Sequence, residues 1–178
     1  MEPAFFKKLY ITFVRPHLEG NNSVWAPYFR KHVRAIEQVQ MRATRCVDGF
    51  GQLTYEERLR RLNLPTLAHR RKRGDMIEVF KHAKIYDKAS ISSSMRFRER
   101  PSRKHGYQIF RAEANDGVRG QQRNSFYFRT ASTWNDLPSS VVDSTTVKAF
   151  KSNLDAHWED DPAKFVFDAV PYYYTEEL

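Results

Sequence analysis

Apolar residues return every three or four positions in several separate stretches of this chain, and prolines or glycines close most of those stretches. That rhythm matches the 3.6-residue turn of an α-helix, so the sequence predicts a mainly α fold. The clearest stretch carries Val33, Ile36, Val39, Ala43 and Val47, with Arg34, Glu37, Arg42 and Arg45 between them. Its spacing predicts a helix with an apolar stripe toward a core, stopped by Gly49 and Gly51. Phe6, Leu9, Tyr10, Phe13 and Val14 predict an earlier helix over 4–18, which Pro16 ends or kinks.

Further helices follow from local chemistry. Thr54-Tyr55-Glu56-Glu57 is a capping box that starts a short helix running to about Leu62. Pro65 breaks the chain there, and Thr66 caps a helix carrying Leu67, Arg70, Arg71, Gly74, Ile77 and Phe80. Gly74 costs about 1 kcal/mol against alanine inside a helix, and close packing would explain its presence. Residues 88–124 lose the period and are rich in Ser, Arg, Gly and Gln, which predicts a long basic loop. Short strands are expected around Tyr107–Arg111 and Ser125–Arg129. Arg129–Leu137 reads as a helix ended by Pro138. Ser144 or Thr145 then caps a last helix with Val147, Phe150, Leu154 and Trp158 on one face.

The expected architecture is a small helical bundle over 4–86, then a basic, partly disordered linker over 87–124. A short strand and two helices over 125–158 pack back on the bundle, and a loose acidic and aromatic tail fills 159–178.

Charge divides along the same lines. The chain has 30 Lys and Arg against 21 Asp and Glu, yet only two of those cations and seven of those acids lie in 151–178. Residues 1–150 therefore carry a balance of +14 and the remainder −5. A basic body of this kind suits a polyanionic partner.

Several chemistries find no support in the residues. Cys46 is the one cysteine, so an intrachain disulfide and a cysteine-rich zinc site are excluded, and a reducing, intracellular setting is expected. It lies beside the apolar stripe and is expected to be a buried small hydrophobe. The six histidines, His17, His32, His69, His82, His105 and His157, lack metal-ligand spacing, so no metal or other cofactor is expected. His17 and His157 read as helix-end residues. Glu159-Asp160-Asp161 is an acidic run beside Pro162 whose neighbouring carboxylates do not converge on metals unaided, so no catalytic residue is assigned. No stretch has the length of a membrane span, no phosphate-cradling glycine loop is present, and no small-molecule substrate is expected.

The basic clusters are the candidate binding residues. Arg70, Arg71, Lys72 and Arg73 wrap one helical turn, so only part of the set can face one partner. Arg96, Arg98 and Arg100 alternate with other residues and would share one side of an extended segment, with Arg103 and Lys104 following. Arg123 and Arg129 complete the set. Phe126 and Phe128 would share a strand face, with core packing expected ahead of base stacking, and Trp25, Trp134 and Trp158 also read as core.

An ordered set of phrases carries a resemblance. They are Leu9-Tyr10-x-x-Phe13-Val14-Arg15-Pro16-His17-Leu18-Glu19, Trp25-x-Pro27-Tyr28 and Ile36-Glu37-x-Val39-Gln40-x-Arg42-Ala43-Thr44-Arg45. Tyr55-Glu56-Glu57-Arg58-Leu59-x-x-Leu62 and Arg73-Gly74-Asp75-Met76-Ile77-Glu78-Val79-Phe80-Lys81 come next. Trp134-Asn135-x-Leu137-Pro138, Ser140-Val141-Val142 and Val147-x-x-Phe150-Lys151 close the series. Together they resemble the thumb and post-thumb segment of a jockey-like non-LTR (LINE-type) retrotransposon reverse transcriptase, over about 5–158. The resemblance implies a helical, thumb-like bundle that holds RNA or an RNA–DNA template–primer without reading sequence, and association with other retrotransposon polypeptides. The aromatic-Ala-Asp-Asp motif of the polymerase palm is absent from these 178 residues, so the resemblance implies a non-enzymatic fragment. A helical protein-interaction module and a non-functional relic are the competing expectations.

Overall fold

The computed structural model describes residues 1–27, 29–86, 97–98, 104–110 and 125–169. Within them the chain is mainly helical, as the apolar spacing predicts. It forms two compact units: Met1–Lys72 with the chain from Asp160 onward, and Arg73–Glu159. These boundaries differ from the expected bundle, linker and tail. The expected bundle is divided near Lys72, and the start of the acidic tail joins the first unit.

In the first unit, α1 (Pro3–Leu9) and α2 (Arg15–Glu19) are joined by a wide π turn, Tyr10–Val14. The Arg15 amide donates to the Tyr10 carbonyl, five residues back. Pro16 has no amide to continue the ordinary ladder, and the widened turn accommodates it without ending the helical path. Pro16 therefore does not end the helix, which continues to Glu19.

α3 (Arg30–Ala43) continues into a tight turn, Thr44–Cys46. Its inward face differs from the one read off the sequence. Val33, Glu37, Gln40 and Thr44 are buried, whereas Val39 is 41% exposed. Cys46 is exposed, against expectation, because the rotation that buries Thr44 turns it outward.

α4 (Tyr55–Leu62) starts with the expected capping box, in which Thr54 and Glu57 satisfy each other's backbone amides. Asn63, in the left-handed conformation at φ 47°, ends it. α5 (Leu67–Lys84) begins in the first unit and ends in the second. Thr66 caps α5 as expected, accepting from the His69 amide, and its hydroxyl donates to the Ala163 carbonyl. That bond, and the Thr66 amide on the Lys164 carbonyl, fasten the turn Pro162–Lys164 to this unit. The acidic tail is therefore ordered through Ala169, where a loose chain was expected; residues 170–178 lie outside the described residues. The apolar core contains Phe6, Tyr10, Val47, Phe50, Leu59, Leu62 and Leu64.

The second unit packs the later part of α5 with α6 (Phe126–Asp136), α7 (Ser139–Val142) and α8 (Val147–His157). Residues 126–129 are helical, which corrects the expected strand. An aromatic run favours a strand locally, but Thr130, Ala131 and Trp134 bury one helical face, and that burial decides the outcome. Phe126 and Phe128 consequently do not share a face. Near Tyr107 the described residues hold only an isolated antiparallel bridge, Phe97 with Ile109, rather than a strand. Thr146 caps α8, one residue beyond the expected position. Phe80 stacks on Phe150 at 4.3 Å between centroids, beside the fully buried Trp134. Trp134 and Trp158 are core as expected, but Trp25 in the first unit is 55% exposed.

Candidate nucleic-acid interface

The helical cluster at 70–73 is engaged by carboxylates and an aromatic ring. Arg70 grips Glu19 with two prongs, its Nη2 donating to Oε2 at 2.9 Å. Arg71 is buried with its guanidinium 4.8 Å from the centre of the Trp25 ring. Lys72 Nζ donates to Asp161 at 3.3 Å. Arg73, in the second unit, holds Asp155 through bonds of 2.5 and 2.8 Å. The His69 side chain and Lys72 hold the Asp161 carboxyl well below the usual carboxylate range, the His69 contribution being the larger.

Two other candidates also meet acids. Arg129 is bound to the buried Asp75 by both ends of its guanidinium, with Nη2 to Oδ1 at 3.1 Å. Lys104 Nζ donates to Asp136 at 2.7 Å. Arg98 is exposed, and its amide donates to the Gln108 carbonyl at 2.8 Å. Arg96, Arg100, Arg103 and Arg123 lie outside the described residues. Of the seven selected cations among the described residues, five are brought to carboxylates of the same chain.

A cationic surface that the selection passed over lies on α3. From Arg30 to Val47 the only carboxylate is Glu37, and it is buried. The Tyr55 hydroxyl donates to it at 2.5 Å, and the amides of Leu67 and Ala68 at 3.2 and 3.3 Å. A carboxylate at these amides caps the start of α5, where the helix dipole favours negative charge. Gln40 accepts from the Tyr10 hydroxyl at 2.7 Å and donates to the Tyr55 hydroxyl and the Pro65 carbonyl. Burial pushes the Glu37 carboxyl up to about 7, against the opposing pull of those bonds and of the Arg71 charge.

This buried network fixes the rotation of α3. Lys31, Arg34, Gln38 and Arg42 then share an exposed stripe about 80° wide at 100° per residue, and exposed Arg45 follows in the tight turn. Arg34, Arg42 and Arg45 have no carboxylate within ion-pair distance among the described residues. The signal was present in the sequence as cations three, eight and three residues apart, which share a face only at the helical rotation that the buried network sets.

Among the described residues no group of three His, Cys, Asp or Glu side chains could hold a metal ion, and no helix is long and apolar enough to cross a membrane. A comparison with protein-family models finds no match, and comparisons with curated proteins and with solved structures find none either.

Proposed function

We propose that this chain is a thumb and post-thumb segment of reverse-transcriptase descent that binds RNA or an RNA–DNA hybrid through phosphates, without reading bases. The observation that carries the reading is where the acids go. Glu19, Asp75, Asp155 and Asp161 each pair with a cation elsewhere in the fold, and Glu37 is buried against Tyr55 and the α5 amides, so none of these five acids offsets Arg34, Arg42 or Arg45 on the exposed face of α3. A surface left cationic in this way attracts a polyanion and releases its counterions.

The family reading is supported by the ordered phrases, whose residues have definite work in the fold. Tyr10, Glu37, Gln40 and Tyr55, drawn from three of those phrases, make one buried hydrogen-bonded cluster. The activity proposed is gripping a template–primer, because the palm motif is not among these residues.

Fluorescence anisotropy of a labelled RNA–DNA hybrid at several salt concentrations tests it. Each phosphate contact should contribute about −0.7 to −0.9 to the slope of log K against log salt. Affinity that is unchanged by salt would exclude the reading.

A second reading, a protein-docking module, is favoured by Phe5 and Phe13, which are 54% and 66% exposed. Light scattering that shows a salt-insensitive oligomer without hybrid affinity would support it instead.

A further inference from the structure

Charge is segregated across α3. The one acid of the helix points inward into a satisfied polar network, and its outer stripe is cationic. We infer that the outer face of α3, with Lys31, Arg34, Gln38, Arg42 and Arg45, is the surface on which a nucleic-acid strand lays its phosphodiester backbone. This assignment deepens the proposed function and rests on it.

Geometry and charge carry the assignment. From Lys31 to Arg45 a helical rise covers about 21 Å, and a duplex carries one charge per strand about every 3.4 Å of axis, so the row faces several phosphates. Arginine predominates in the row, and its planar fork suits phosphate oxygens in pairs. Gln38 adds a neutral donor between the charges. Arg45 also lies near Arg58, whose guanidinium is held below its ordinary value first by burial and then by the Arg45 charge. An anion beside Arg45 relieves that repulsion. A lipid surface suits the row less well, because a membrane-lying helix needs an apolar face exposed, and here Val33 and the polar network face inward. Arg70, Lys72 and Arg73, by contrast, already have carboxylates, and Arg71 is buried against Trp25.

The test compares charge reversals of equal size in the full chain. Arg34→Glu with Arg42→Glu alters the α3 row, and Lys148→Glu with Lys151→Glu alters exposed positions on α8. With a labelled RNA–DNA hybrid, the α3 pair should bind about tenfold weaker or worse, with the salt slope reduced by about 1.4–1.8. The α8 pair should stay within about twofold of the native chain. Cys46, the one thiol, lies at the foot of the row, so bound hybrid should slow its maleimide labelling. Equal loss in both pairs, or unprotected Cys46 at saturating hybrid, overturns the assignment. Polyglutamate that displaces the hybrid at equal charge overturns the choice of a phosphodiester strand. If the native chain shows no salt-dependent affinity, the proposed function fails first; if it binds and the α3 pair binds equally well, only this assignment falls. Should the α3 pair lose its native circular dichroism, Arg34→Gln with Arg42→Gln serves the same comparison, with the same two outcomes.

Discussion

Tyr55 donates its hydroxyl to the Glu37 carboxylate across 2.5 Å, beneath the first amides of α5. Three elements meet in that contact: α3 supplies the acid, α4 the phenol, and α5 the amides. Burial of polar side chains is tolerated only where partners replace water, and here each has them. The contact therefore sets which side of α3 faces solvent, and with it where the cationic row stands.

Glu37 should make the first unit sensitive to pH. Its carboxyl is raised from an ordinary 4.5 to about 7, chiefly by burial. The folded chain then holds the proton more tightly than the unfolded chain. The associated stability is complete below pH 4.5 and is lost as pH rises through about 7. Glu37→Gln keeps an acceptor for the α5 amides and cannot ionise, so urea unfolding of that variant should lose this slope. A variant that retains the native slope would assign it to other groups.

How far this was readable from sequence differs by element. The α4 capping box and the Thr66 cap were legible because a hydroxyl three residues before its amide is a local device. The inward face of α3 was not. Apolar spacing chose Ile36 and Val39, but Gln40 and Glu37 are inside because Tyr10, Tyr55 and the start of α5, distant in sequence, satisfy them. Nor could sequence tell that Arg70, Arg73 and Arg129 would meet Glu19, Asp155 and Asp75, since those acids lie between 51 and 82 residues away. A cation count locates a basic chain; the surviving surface charge depends on the long-range pairs that folding makes.

The Arg129 and Asp75 pair should act on stability. The Asp75 side chain is 8% exposed and that of Arg129 22%, so removing one partner strands the other out of water. Asp75→Asn should lower unfolding free energy by about 3 kcal/mol, the scale for breaking a buried ion pair. Measured by urea unfolding, a loss under about 0.5 kcal/mol would show an exposed, weakly coupled pair instead. Hybrid affinity of the folded variant should remain native.

Asn135 holds the chain around Ile109 as a neighbouring strand would. Its Oδ1 accepts from the Ile109 amide at 2.8 Å, and its Nδ2 donates to the Ile109 carbonyl at 2.9 Å. Ile109 is buried, so Asn135→Ala leaves two backbone groups without partners, at a cost of about 2 kcal/mol. Hydrogen exchange should accelerate at the Ile109 amide before the α8 amides respond. Uniform acceleration across the second unit would show that the pairing is not local.

The second unit should answer acid in the opposite sense from the first. His105 donates from Nε2 to the Trp134 carbonyl at 3.1 Å and accepts the Tyr107 amide at Nδ1, at 3.3 Å, which requires a neutral ring. Burial lowers its pKa from the ordinary 6.5, against the pull of the Trp134 carbonyl. Protonation would remove the Nδ1 acceptor, so the stability linked to the neutral ring is present above 6.5 and is lost as pH falls through the lowered value. Asp161 does not confuse the comparison, because its carboxyl is held well below its ordinary 3.8 and acts only in stronger acid. Between about pH 7 and about pH 5, amide protection corrected for intrinsic exchange should rise around Glu37 and fall around His105. Mass spectrometry resolves the two regions in one sample. A shift of both in the same direction would mean that global unfolding, not these two buried groups, governs the response.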